Sequence, residues 1–386
     1  MKSFLFVLTL VLLTACTPAS PTSIPATAVA TPVPTTAAAD LPLRAALERE
    51  KGWVCPPEFA GQTLSVANWD LYIAEDTIAN FETLCGVTVN YAVFGSNEDL
   101  LEQMRTGSAA YDVVVPSDYA IAIMIGENLL HPLNFANIPN FVNISADLRN
   151  PPYDPDSRFS VPYQWGTIGI LYNITRTREA ITSWQQMLEY TRGSVNWLED
   201  TRGMMGMALN KLSYSPNSQN RDEINAARDF LIANAGNVAA VVEYGSYDPL
   251  IAGAADMAVE YSGSFYLIAS QCGCDDFRFS IPQEGTNLWV DNIAIPASAP
   301  NPRLAEAFID YILQPQVAAD ISNFTAYASP NQTAINLGLI DEAFLSNVNI
   351  YPSDEVRGHL YFTDTDPTTQ QMQLEGWEAV KAAIGS

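Results

Sequence analysis

Between residues 63 and 130 the apolar positions switch repeatedly between a period of two and a period of about 3.6. Residues 63–69 read as a strand. Residues 74–84 put Ile78, Phe81 and Leu84 on one helical face and stop at Gly86. A strand follows over 87–94. Ser96, with Asp99 three residues on, then predicts a capped helix running to Gly107. Residues 112–115 are apolar enough for a strand buried on both faces, and another helix is expected over 119–130. Strand and helix in alternation predict a parallel, doubly wound sheet.

A second series begins near Gly166. Strands are expected at 169–172, 195–198, 238–243, 257–261, 277–281 and 288–295. Helices are expected from Ser183, over 204–212 and 223–235, over 304–324 with a break at Pro315, and over 374–384. The pattern supports two α/β lobes and leaves open how the chain crosses between them.

Composition narrows the function. With 43 Asp+Glu against 18 Lys+Arg in 386 residues, the net charge is -25. That excess disfavours nucleic acid and a basic membrane-docking patch, because both need clustered cations. Only two histidines are present, His131 and His359, which leaves a Ser-His-Asp triad or a His-based metal site little material. No cofactor and no metal site is expected.

Residues 1–16 have the form of a signal peptide: a short cationic start, an apolar run too short to remain as a spanning helix, and Leu13-Thr14-Ala15-Cys16. That ending resembles a bacterial lipobox, with Cys16 as the lipidated residue. Residues 17–54 are expected as a Pro/Thr-rich linker and lead-in. Setting Cys16 aside from the five Cys leaves Cys55, Cys85, Cys272 and Cys274, which permit three pairings. Locality in the chain favours Cys55–Cys85 and Cys272–Cys274, in an exported compartment that permits disulfides.

In open α/β sheets, ligands sit beyond the carboxyl ends of strands. The loops there carry Trp69, Asp70 and Tyr72; Ser117, Asp118 and Tyr119; Asp200; Tyr261; and Trp289 with Asp291. Carboxylates with aromatic faces suit an organic cation. Each residue also has a structural reading: Ser117, Asp118 and Asp200 fit helix N-caps, and Trp165 and Trp289 fit a lobe core.

The ordered motifs Asn68-Trp69-x-x-Tyr72, Tyr111-Asp112-Val113-Val114-Val115-Pro116-Ser117-x-Tyr119, Val161-Pro162-Tyr163-x-Trp165-Gly166, Trp289-x-Asp291-x-x-Ala294-Ile295-Pro296 and Tyr327-x-x-Pro330-Asn331 resemble the spermidine/putrescine-binding proteins of bacterial ABC importers. The resemblance runs from about Thr63 to the C-terminus. It implies a two-lobed periplasmic-binding-protein fold, each lobe a doubly wound sheet with flanking helices and the ligand cleft between them. Lobe one would hold 55–166 and 290–335, and lobe two 167–289 and 336–386. By matched motif, Trp69, Asp70, Tyr72, Ser117 and Tyr119 would line the cleft from lobe one. Asp200 and Tyr261 would line it from lobe two, Trp289 and Asp291 near the hinge, and Tyr327 on a returning segment. Asp291 would be the central ammonium-binding carboxylate.

The family pattern also has gaps here. Leu71 and Gly203 stand where polyamine binders can carry acidic residues, and the Gln expected near Tyr361-Phe362-Thr363 is not evident. The resemblance implies a monomeric, non-enzymatic lipoprotein in the periplasm or on the outer face of the membrane. It would pass a small organic cation to an ABC permease. Alternatives are the same fold holding another solute, or a metal through Tyr261 and Tyr327, and an exported hydrolase.

Overall fold

The computed structural model describes residues 41–363 and 366–385. The expected signal peptide, Cys16 and the Pro/Thr-rich part of the linker lie outside the described residues.

Ten strands form one sheet: β1 (Thr63–Asn68), β2 (Thr88–Val93), β3 (Val113–Val114), β4 (Ser160–Asn173), β5 (Val195–Leu198), β6 (Val238–Val242), β7 (Met257–Tyr261), β8 (Phe277–Ser280), β9 (Thr286–Ala294) and β10 (Leu360–Tyr361). The order is β2-β1-β3-β9-β4-β7-β5-β6, with β10 beside β9 and β8 beside β4. Each end is parallel, as the alternating pattern predicts: β1 pairs β2 and β3, and β5 pairs β6 and β7. The middle is not. β4 and β9 run antiparallel to each other, β9 antiparallel to β3, and β4 antiparallel to β7 and β8, while the short β10 adds to β9 in parallel. These two long strands carry the chain from one half to the other, which periodicity left open.

The halves have separate interiors. One core spans Leu47 to Trp165 and Val290 to Ile350, with Phe81, Val113, Ile293, Phe308 and Tyr311 among its buried members. A second gathers Ile168, Ile170, Trp184, Trp197, Met204 and Trp377, and a smaller one Leu171, Leu250, Ile268, Phe277 and Phe279. Trp197 and Trp377 stack at 6.5 Å, which docks the last helix, Pro367–Ile384, onto the second half. Burying each such side chain contributes roughly 1.5–3 kcal/mol. The fold is the two-lobed α/β architecture that the sequence predicts.

Local chemistry explains the element ends. Ser96 Oγ accepts the Asp99 N–H at 3.1 Å at the start of helix Asn97–Thr106, and Ser183 does the same for Gln186. Within the expected lead-in, Leu41–Lys51 is a helix. It is fastened by Leu47 in the first core and by a 2.6 Å ion pair from the buried Lys51 to Asp320. Cys55 pairs with Cys85 and Cys272 with Cys274. The stretch after residue 335 first packs with the first half: Ile340 sits against Ala319 and Ala334, and Ile350 joins the first core.

Candidate functional site

The loops that follow the strands meet where the two cores adjoin. Tyr261, at the end of β7, and Trp289, within β9, each pack against both main cores. Around them the rings form a continuous chain. Tyr163 lies 5.5 Å from Tyr72, Tyr72 5.7 Å from Tyr327, and Tyr327 5.0 Å from Trp289. Trp289 lies 5.9 Å from Tyr261, which lies 5.5 Å from Tyr244. Most of these contacts are edge-to-face, the arrangement ring quadrupoles favour. Gly166 makes the approach of Trp289 possible, because a Cβ there would sit 2.4 Å from the indole.

Asp291 is buried in this chain, on β9, with Ser117 bridged alongside it. Burial pushes its carboxyl up to about 6, and the neighbouring hydroxyls of Ser117 and Tyr72 pull it partway back. The Tyr72 hydroxyl and the Trp289 Nε1–H are both buried without a well-aligned hydrogen bond. Unpaired donors beside an under-solvated carboxylate mark a place where polar groups await a partner. Ser117 itself is held by Asn97, whose Nδ2 donates to Ser117 Oγ at 3.0 Å while its Oδ1 accepts the Ser117 N–H at 3.1 Å.

Asp118 lies behind Asp291. Burial pushes it up to about 8, and the Asp291 charge adds to that. The backbone N–H groups of Tyr119 and Val290 and the charge of Arg202 act against it. Glu260, fully buried on β7, is likewise pushed up to about 8 by burial, opposed by the Ser264 hydroxyl.

The other expected residues divide. Asp200 is a helix N-cap, accepting the Gly203 N–H at 2.8 Å, and also accepts the Tyr261 hydroxyl at 2.9 Å, so its two readings coexist. Tyr119 is half-buried and donates to Glu98 at 3.2 Å. Trp69 packs on Phe94 at 4.5 Å and donates its Nε1–H to the Val115 carbonyl at 2.9 Å, so its indole is committed to the first half's interior. Asp70 is exposed, and its carboxylate accepts the N–H of the adjacent Leu71 at 3.0 Å. Thus Tyr72, Ser117, Tyr261, Trp289, Asp291 and Tyr327 come together, Asp200 and Tyr119 border them, and Asp70 does not join them.

Asp118, read from the sequence both as a strand-end carboxylate and as a cap, lies beside the site, and two further neighbours escaped the sequence reading. Tyr244 accepts the Tyr327 hydroxyl at 3.1 Å, and Arg202 lies over Tyr119. Tyr244 sits two residues beyond β6 and Arg202 at the start of the helix Thr201–Lys211 that follows β5, so the strand-end rule pointed to both neighbourhoods.

The profile of the family described as bacterial extracellular solute-binding protein matches residues 76–347. The chain belongs to this family. Curated relatives of this solute-binding protein include the putrescine-binding periplasmic protein SpuD of Pseudomonas aeruginosa, 31% identical over 340 residues, covering 83% of this chain and 92% of the relative. The spermidine/putrescine-binding periplasmic protein of Escherichia coli is 32% identical over 297 residues, covering 76% and 84%. Among solved structures, the spermidine/putrescine ABC transporter substrate-binding protein PotD of Streptococcus pneumoniae, in complex with calcium and HEPES, superposes with a TM-score of 0.76 at 30% identity. It covers 84% of this chain and 100% of that one. Both curated relatives are periplasmic by name. In this solute-binding protein, no described helix is long and apolar enough to cross a membrane. Among the described residues no group of three or more His, Cys, Asp and Glu side chains is placed to hold a metal.

Proposed function

We propose that this chain captures a small organic ammonium of the polyamine class between its lobes and delivers it to an ABC permease. The observation that carries the reading is Asp291: a carboxyl buried where the two cores adjoin, beside Tyr72 and the Trp289–Tyr327 pair, with its acidity weakened for want of a counter-charge. An alkylammonium supplies that charge. Ring faces attract the cation by roughly 0.5–2 kcal/mol and cover its methylenes. The names of the relatives support the same ligand class.

Lobe one comprises 55–166 and 290–335 and lobe two 167–289 and 336–386, with β4 and β9 as the connection about which they close. The segment from Ile340 to Ile350 rests on lobe one. The site includes Tyr72, Ser117, Tyr119, Asp200, Tyr261, Trp289, Asp291 and Tyr327, with Trp69 backing it from the first half's interior and Asp70 outside it. The protein performs no chemistry on its cargo. It acts as a monomer, tethered through lipid on Cys16, in the periplasm or on the outer face of the membrane.

Calorimetric titration of protein freed of bound cargo tests the ligand class. Putrescine or cadaverine is expected to bind with a dissociation constant in the micromolar range or tighter. At about 100 times that concentration it should raise folding stability by about 2.7 kcal/mol. No heat and no melting shift with any aliphatic amine would overturn the reading.

A further inference from the structure

One side chain in the cleft is itself a cation. Arg202 projects from helix Thr201–Lys211, on the half built around β5, and reaches the other half. Its guanidinium carbon lies 3.2 Å from the centroid of the Tyr119 ring. Its Nη1 lies 3.8 Å from Glu98 Oε1, the same oxygen that accepts the Tyr119 hydroxyl at 3.2 Å. The side chain is only 11% exposed, and its Nε–H is buried with no hydrogen-bond partner. Arginine keeps its charge at every physiological pH, so this positive group is permanent.

The acceptors at that end of the cleft are committed. Asp200 takes the Gly203 N–H on one oxygen and the Tyr261 hydroxyl on the other. Asp118 takes the N–H groups of Tyr119 and Val290. Position 203 carries no carboxylate, and a Cβ there would come within 2.3 Å of Ile168 Cδ1, so any side chain at that place requires Ile168 to move. Glu98, the remaining carboxylate there, already faces the Tyr119 hydroxyl and Arg202, so a ligand ammonium entering beside Tyr119 would meet a like charge and acids already engaged, whereas one at Asp291 meets a carboxylate without a counter-charge.

We propose that Arg202 is a specificity-determining residue. It fills the cation place against Tyr119 and so restricts the site to a short diamine, excluding the additional ammonium of a triamine. The inference rests on the polyamine reading above and names the member of that class the cleft accepts. A like-charge contact is repulsive discrimination, and about 1.4 kcal/mol of it is a factor of ten in selectivity.

Calorimetric titration of putrescine and spermidine into the wild type, Arg202→Gln and Arg202→Lys tests it. Wild type is expected to bind putrescine at least about 10-fold tighter than spermidine. Arg202→Gln, which removes the charge but keeps most of the bulk, should shrink that ratio at least about 10-fold. Arg202→Lys, which keeps a cation, should retain the preference for putrescine. Equal or tighter spermidine binding by wild type, or an unchanged ratio in Arg202→Gln confirmed as folded by its melt, would overturn the role of Arg202. Asp291→Asn run alongside separates the two levels. Amine binding that survives Asp291→Asn overturns the reading of the site. Binding lost in Asp291→Asn with selectivity unmoved in Arg202→Gln overturns the Arg202 inference alone.

Discussion

Replacing Asp291 by Asn is expected to weaken amine binding by about 30-fold to several thousand-fold while leaving the empty protein folded. Removing one partner of a buried, hydrogen-bonded charge pair costs about 2–5 kcal/mol, and each 1.4 kcal/mol is about tenfold in affinity. Asn preserves the shape of Asp, so Ser117 and Tyr72 keep a neighbour of similar size. The effect on stability runs the other way. Near pH 8 the Asp291 carboxyl, pushed up to about 6 by burial, is ionised without a counter-charge in the empty cleft. A neutral amide removes that penalty, so the melting temperature of the empty protein should hold or rise. Titration calorimetry paired with a melt of the same sample checks both halves. A variant that binds amines normally removes Asp291 from the site, and one that unfolds assigns it a structural role.

The second large effect is a reversal between pH and cargo. Asp118 and Glu260 are pushed up to about 8 and Asp291 to about 6, all by burial. Their neighbours do not cancel this. Tyr72, Ser117 and Asp118 face Asp291. Arg202 offsets only part of the shift at Asp118. Ser264 and the Tyr261 backbone N–H do likewise at Glu260. A folded-state value raised above the unfolded one means that the native protein binds more protons between the two. The resulting stability is fully present below the unfolded carboxylate range and is lost as pH rises through about 6 and then about 8. The empty protein should therefore melt higher near about pH 5.5 than near about pH 8.5, with Asp291 supplying on the order of 1 kcal/mol of that difference and Asp118 and Glu260 the larger part. The net charge of -25 at pH 7 adds self-repulsion of the same sign. Amine binding has the opposite dependence, because the cation needs the ionised carboxylate. Below about pH 6 affinity should fall by up to about tenfold per pH unit as cargo displaces a proton. Calorimetry of cargo-free protein across this range checks the first trend and titration at each pH the second. A stability that climbs with pH through this window contradicts the protonated native state.

Why some of this was legible in the sequence and some was not follows from particular residues. Ser117 follows β3 beyond its carboxyl end, where the strand-end rule looks, whereas Asp291 lies inside the antiparallel β9 and was legible only through the matched motif Trp289-x-Asp291. Asp70 shares a strand-end motif with Tyr72, yet the next residue, Leu71, has φ 50° and is 73% exposed. That turn directs Asp70 outward while Tyr72 goes in, and no periodicity records it. β4 was read only over 169–172, because Pro162 and Gly166 look like breakers. In the fold a register shift between Pro162 and Gln164 absorbs the first, and the close approach of Trp289 requires the second. The helix Leu41–Lys51 was hidden behind a Pro/Thr-rich run and depends on long-range anchors, Asp320 above all. Arg202 was unreadable as a cleft residue because its partners, Tyr119 and Glu98, lie in the other half.

The most direct test is a crystal structure of the protein saturated with putrescine. The account predicts one ammonium nitrogen within about 3 Å of an Asp291 carboxylate oxygen, its methylenes against the Trp289 and Tyr327 rings, and Arg202 still seated over Tyr119. Putrescine bound elsewhere, or a cleft that stays closed on Asp291 with no amine inside, contradicts it.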